Sequence, residues 1–360
     1  MVDIFHEEDG DLSILKESTI GIIGYGNQGR AQALNLRDSG LNIIIGNKND
    51  KYQTIALKDN FLVFSIEEAT KNSEIIFILI PDEIMKSAFE NSIKPYLNPN
   101  SVLVFASGYN IGFKLLQPPE NVDILLIAPR MIGVGVRESF LKNEGFFSFI
   151  AIEQDASGKA KEVLLVLSKG IGTLKKGALM LTFKEEAELD LFNEQAFGPA
   201  FGRVLLSSIY TLIEAGYPPE AVLIEMYMSS EMAYTYKKMA EIGLIKQVDF
   251  HSQTSQYGAM SRGIRFRKLP LKTPMKRILK EIQEGEFTRE WGKKITKLKF
   301  KVIKFFATKQ KINKIEQRVR KSLNLKEYNI YEEKSPTDKE INALKRISDD
   351  LELFKQYYEE

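Results

Sequence analysis

Asp190 and Glu194 stand four residues apart in a stretch of helical period, which puts their carboxylates on one face of a helix. Leu189, Leu191, Phe192 and Phe197 flank them, so the acids border an apolar seam. A pair of this kind is either solvated surface or part of a site for a hard, oxygen-bound cation. Composition limits the alternatives. The 360 residues include no cysteine and two histidines, His6 and His251. That excludes disulfides, thiolate zinc, a cysteine nucleophile and iron–sulfur clusters, and leaves too little imidazole for a three-histidine zinc site. No G-x-S-x-G elbow accompanies either histidine, so a serine-hydrolase device is not indicated. Any metal is expected to be Mg²⁺, Mn²⁺ or Ca²⁺.

The second chemistry-bearing pattern is Gly24-Tyr25-Gly26-Asn27-Gln28-Gly29, a G-x-G-x-x-G between an apolar run and a helical segment. Gly24 permits a tight turn, Gly26 lets the backbone approach a pyrophosphate, and Gly29 lets helix and strand pack closely. The helix N-terminus then meets phosphate charge with free N–H groups. After the next strand come Asn47-Lys48-Asn49-Asp50-Lys51. Lys48 and Lys51 favour a 2′-phosphate, hence NADP over NAD, while Asp50 argues for a free 2′-hydroxyl.

The elements that must hold these residues follow from hydrophobic pattern. Apolar runs at Thr19–Ile23, Asn42–Ile45, Phe61–Phe64, Glu74–Ile80, Val102–Phe105, Ile124–Ile127 and Phe147–Ile152 alternate with amphipathic stretches. Runs that are apolar throughout suit strands buried on both faces of a parallel sheet. The fold class expected is α/β: a Rossmann-like doubly wound domain over residues 1–180, then an all-helical domain over 181–291. Long helices are expected over Asp190–Ala215 and Glu220–Ile242. Residues 292–360 are expected to form a helical extension, and its charge is segregated along the sequence. Thirteen Lys or Arg and one acid, Glu316, lie between Gly292 and Lys326, and ten acids with five bases follow. Ile312, Ile315, Val319 and Leu323 give part of this block an amphipathic helix. Its bases are either a solvated face or a contact for an acidic partner, including the chain's own tail. The formal net charge of +2 gives no global reason to expect nucleic acid. An acidic amino terminus without a signal-peptide pattern, and no unbroken apolar run of membrane length, lead us to expect a cytoplasmic protein.

Ordered motifs from about residue 8 to 291 resemble the ketol-acid reductoisomerase family, in its short form. They include the segment Gly24–Gly40, Pro81-Asp82-Glu83, Phe105–Ile111, Phe183-Lys184-Glu185-Glu186, Asp190–Gln195, Glu214–Tyr217, Gln256-Tyr257-Gly258 and Glu284–Phe287. The resemblance implies a knotted helical domain that forms a homodimer or larger homo-oligomer. It also implies a Mg²⁺-dependent alkyl migration in a 2-acetohydroxy acid followed by NADPH reduction, in valine and isoleucine synthesis. By the same resemblance Asp190 and Glu194 stand at metal positions, joined by Glu225 or by Glu231 according to whether the motif before or after them sets the register, with Arg130, Ser107 and Glu194 at catalytic positions and Ser252 at a substrate contact. Gly24 to Gly29, Lys48, Lys51 and Gly133 stand at cofactor positions.

Several positions depart from the family pattern. Ser107 stands where histidine is usual, Arg130 where lysine is usual, Val134 where the histidine of Gly-Pro-Gly-His is usual, and Gln256 where an acid is usual. Arginine keeps the positive charge but cannot deliver a proton near neutral pH. Glu225 and Glu231 are six apart and on an ideal helix would face about 120° from one another. His251 is read as structural. Besides an active reductoisomerase, these changes suit a non-catalytic paralogue that binds nucleotide and assembles with a homologue. They also suit an NADP-dependent reductase of altered substrate.

Overall fold

The computed structural model describes residues 2–325 together with Pro336, Thr337, Glu340, Ile341, Leu353, Phe354 and Gln356. The chain divides into two compact units, Met1–Leu191 and Phe192–Glu360.

The first unit is built on nine strands: β1 (Ile4–Phe5), β2 (Thr19–Ile23), β3 (Asn42–Gly46), β4 (Leu62–Phe64), β5 (Ile75–Ile78), β6 (Val102–Phe105), β7 (Asp123–Pro129), β8 (Ser148–Gln154) and β9 (Ala178–Met180). Their order in the sheet is β1-β9-β8-β7-β6-β5-β2-β3-β4. From β4 to β7 all neighbours are parallel. The chain starts at β2, winds outward through β3 and β4, then returns to the other side of β2 with β5. The direction of winding therefore reverses between β2 and β5, where a crevice opens beyond the strand ends. Ile20, Ile22, Ile23, Ile76 and Phe77 are completely buried, which is why these strands read as unbroken apolar runs.

β8 runs antiparallel to β7, and β9 and β1 extend that edge. Neither β1 nor β9 is legible in the sequence, since two or three residues cannot display a period. The run ending at Ile80 stops as strand at Ile78, because Pro81 starts the next helix, Asp82–Ala88.

The second unit is helical, with a small core of Ile209, Val222, Leu223, Ile312 and Val319. Ile312 and Val319 come from helix Lys311–Ser322, so the apolar stripe of the basic block is docked. Glu316, the single acid of that block, accepts a hydrogen bond from the Tyr227 hydroxyl.

One expectation is corrected. Glu220–Ile242 is not one helix. A π-helical turn, Ile224–Met228, leads into Ser230 in the left-handed conformation (φ 68°), and helix Glu231–Ile242 begins beyond it. The ideal-helix phase between Glu225 and Glu231 therefore does not apply. The 32-residue helical run Phe183–Glu214 is long and apolar enough, by length and composition alone, to cross a membrane, although charged residues interrupt it.

Candidate active site

The glycine loop lies at the carboxyl end of β2, and each glycine has its own steric reason. Gly24 adopts φ 95°, and a Cβ there would sit 2.6 Å from the Leu79 carbonyl oxygen. At Gly29 a Cβ would collide with the carbonyl oxygen of Gly24. Nothing lies within 4 Å of the Cβ position of Gly26, which caps helix Asn27–Asp38 and faces open space. One glycine makes the turn, one permits packing, and the third leaves room for a ligand against the first helical N–H groups.

That room belongs to a cleft of about 610 Å³, lined by Gly24 to Gln28, by Asn47, Lys48 and Asp50, by Ile80 to Asp82, and by Ser107. Tyr25 lines it yet is only 1% exposed. Its hydroxyl donates to Asp59 Oδ2 at 2.8 Å, and burial pushes its pKa up. Arg30 grips the same carboxylate through Nε and Nη2, at 2.7 and 3.0 Å. The Tyr25 side chain thus anchors the loop, and the neighbouring strand end is tied in by Tyr25 N–H donating to Asn47 Oδ1 at 3.2 Å. Asp50 caps helix Lys51–Lys58, accepting from Tyr52 N and Gln53 N, and also accepts from Asn47 Nδ2. Of the two lysines, Lys48 lines the cleft. Lys51 is not among its lining residues, and its ammonium rests 5.2 Å from the Tyr52 ring centroid. Gly133 packs on the same loop from the other side, where a Cβ would collide with the Asn27 carbonyl oxygen. Gln28 Nε2 donates to Met131 O at 2.9 Å and fixes that approach.

Where the cleft reaches Ser107, an ionic cluster centred on a buried carboxylate begins. The Gly108 N–H donates to Glu186 Oε2 at 2.5 Å. The other oxygen of Glu186 accepts from Arg130 Nη2 at 2.6 Å, and Arg130 Nη1 donates to Asp190 Oδ1 at 2.9 Å. Arg130 follows directly on β7, donates through Nε to Ala128 O at 3.2 Å, and lies over the Phe149 ring at 4.9 Å. Glu186 and Asp190 are one turn apart on helix Phe183–Phe192, so both reach one guanidinium. Gly108 is obligatory: a Cβ there would collide with the Phe183 carbonyl oxygen and approach Glu186 Oε2 to 2.8 Å. Glu186 is fully buried, and burial raises its carboxyl pKa to about 7, against the opposing pull of Arg130 and the Gly108 N–H.

The first unit thus gathers Ser107, Arg130 and Asp190, three of the expected site residues. It adds Glu186, which was quoted in a motif without a role. Its signal was available: an acid four residues before Asp190, on the side facing the chain's start. Glu194, Glu225, Glu231 and Ser252 belong to the second unit. Glu194 lies in the π-helical turn Asn193–Phe197 and Glu225 in that of Ile224–Met228. Such turns occur often at functional positions. The Ser252 hydroxyl caps helix Gln253–Gly263 by accepting from Ser255 N at 3.3 Å, and Gln256 Nε2 donates to the His251 carbonyl. Among the described residues, no three acidic or histidine side chains gather closely enough to hold a metal ion. The acidic side chains are donors of the hard oxygen type that Mg²⁺ takes.

A Rossmann unit with an open glycine loop, and an acid–guanidinium cluster at the mouth of its crevice, define a dinucleotide-dependent reductase class. The comparisons narrow this to one family. The family model for the NADPH-binding domain of acetohydroxy acid isomeroreductase matches residues 14–177, and that for the ketol-acid reductoisomerase C-terminal domain matches 183–325. The chain belongs to the ketol-acid reductoisomerase family. It is 42% identical over 293 residues to the ketol-acid reductoisomerase (NADP(+)) of Petrotoga mobilis, covering 81% of this chain and 88% of the relative. To the enzyme of the same name from Methanocaldococcus jannaschii it is 40% identical over 294 residues, covering 81% and 88%. Its structure is similar to that of an NADH-preferring ketol-acid reductoisomerase from an uncultured archean, with TM-score 0.82 and 34% identity, covering 89% of this chain and 98% of that one. The C-terminal model reaches residue 325, past Trp291, where the recognisable motifs end.

Two outcomes test the cluster. Because the native Glu186 carboxyl holds its proton up to about pH 7 while the unfolded one releases it near 4.5, this group makes folding stability fall as pH rises between those values. E186Q is expected to flatten that part of the stability-versus-pH curve, measured by urea unfolding. R130A strands a buried carboxylate and is expected to cost ~3 kcal/mol, with R130K intermediate because lysine cannot fork between two acids.

Proposed function

We propose that the chain catalyses the reductoisomerase reaction of its family: alkyl migration within a 2-acetohydroxy acid, then reduction of the resulting 2-keto acid by NADPH to a 2,3-dihydroxy acid. The observation that carries this reading is the continuity of the site. Ser107 lines the dinucleotide cleft, and the adjacent Gly108 N–H is bound by Glu186, which shares Arg130 with Asp190. A substrate at the cleft's inner end therefore lies beside both hydride donor and carboxylates. Arg130 stays charged at any working pH, so it positions the two acids and offsets negative charge without exchanging a proton. Ser107 supplies a hydroxyl where the family has an imidazole. Asp190 and Glu194, with Glu225 and Glu231, would hold Mg²⁺, whose chemistry is to polarise the substrate oxygens. Ser252 is read as a contact for the substrate.

The second unit exposes Leu244, Ile245, Phe250, Tyr257, Ile264 and Phe266, each at least 65% accessible. An apolar area of this extent is read as the interface of a homodimer, which would also complete the carboxylate set. On this reading the protein is a soluble cytoplasmic enzyme, its first unit holding the cofactor and its second contributing metal and substrate contacts. Cofactor preference rests on Lys48 and Asp50, which lie on the same wall of the cleft. NADPH is preferred if Lys48 meets the 2′-phosphate.

The activity is tested by following NADPH absorbance with purified protein, 2-acetolactate and Mg²⁺. Turnover is expected, and reduction of a 2-keto acid without turnover of acetolactate would instead assign a reductase of altered substrate. D190N is expected to abolish turnover and weaken Mg²⁺ binding in calorimetry, with NADPH affinity unchanged. K48A is expected to raise the Kd for NADPH ~10-fold and leave that for NADH within about twofold. Light scattering is expected to give at least twice the 41.0 kDa chain mass, and I264D/F266D to lower it.

A further inference from the structure

The charge-segregated extension is not absorbed by the proposed reaction, and the matched family model ends at residue 325. Helix Lys294–Thr308 shows what its acidic part does. Val302, near the middle of that helix, is completely buried. Ile295, Leu298 and Phe306, its neighbours in the same apolar cluster, lie on the same helix and cannot cover the outer side of Val302 by themselves. Among the described residues, the one hydrophobic member of the cluster from outside the helix is Ile341. Beside it, Lys301 Nζ donates to both carboxylate oxygens of Glu340, at 2.9 and 3.0 Å. Farther along, Lys299 Nζ lies 5.3 Å from the ring centroid of Phe354.

Glu340 is not placed by Lys301 alone. Its carboxylate accepts from the Thr337 N–H at 2.7 Å and from the Thr337 hydroxyl at 3.0 Å, while its own N–H donates back to that hydroxyl at 3.3 Å. Thr337-Asp338-Lys339-Glu340 is a capping-box sequence, so a local cap presents the carboxylate and Ile341 together.

We propose that Thr337, Glu340, Ile341 and Phe354 belong to a strap that docks in cis on the basic, apolar face of helix Lys294–Thr308. Ile341 seals Val302, and Glu340 and Phe354 engage Lys301 and Lys299. The charge pattern of the sequence selects this occupant: ten acids in the last 34 residues follow a block with thirteen bases. The exposed ion pair contributes register more than energy, and the apolar seal contributes the energy.

The test uses the full chain and does not depend on enzymatic activity. In hydrogen exchange, K301E and I341D are each expected to speed exchange about tenfold both in residues 294–308 and in the segment after 336. In I341D no Lys–Glu pair is altered, so a concerted change there isolates the apolar seal. Unchanged exchange in both variants would overturn the strap. A carbodiimide cross-link between Lys301 and Glu340 is expected to run at the mass of one chain on a denaturing gel. A link found only at twice that mass would overturn docking in cis and assign the strap to a second copy.

Discussion

The site depends on one buried carboxylate. Glu186 has no access to solvent, which favours its protonated form, and a donor on each of its oxygens, the Gly108 N–H on one and the Arg130 guanidinium on the other, opposes that shift. Those donors come from different loops, one following β6 and the other following β7, while Glu186 itself comes from the helix after β9. Satisfying it therefore locks three chain segments into one arrangement. Asp190, Ser107 and the approach of Met131 and Gly133 to the glycine loop are all positioned by that lock. Arginine suits the role better than lysine, since a planar fork reaches two acids at once and stacks on Phe149.

The cofactor cleft is held by a second anchor with similar logic. Asp59 lies beyond the end of helix Lys51–Lys58, yet it receives the Tyr25 hydroxyl and both arms of Arg30. The middle of the glycine loop is then free to present N–H groups to a ligand, because its shape is maintained from behind. Gly26 faces space and Tyr25 faces core, so adjacent residues of one motif divide ligand approach and loop support between them.

Much of this was legible from residues alone. The parallel strands are recorded as unbroken apolar runs, and the glycine spacing marks the turn after β2 because each glycine answers a separate steric demand. Asp190 was legible from its motif. Glu186 is legible only as an acid one turn before Asp190, because an acid in a helix reads as solvated unless its burial is known. The helix break at Ser230 was hidden as well, since serine carries no signal for a left-handed conformation. Lys48 lines the cleft directly, while the ammonium of Lys51 rests over the ring of Tyr52, itself a residue of the cleft wall.

The sequence by itself determined the doubly wound unit, its dinucleotide loop and the family, because these rest on local periodicity and on spacings within a few residues. The tertiary structure alone decided which acids meet. Arg130 and Glu186 are 56 residues apart and Gly108 and Glu186 are 78 apart. Nothing local links them. They are brought together by the order of strands in the sheet, and a carboxylate's chemistry follows from what that order buries beside it.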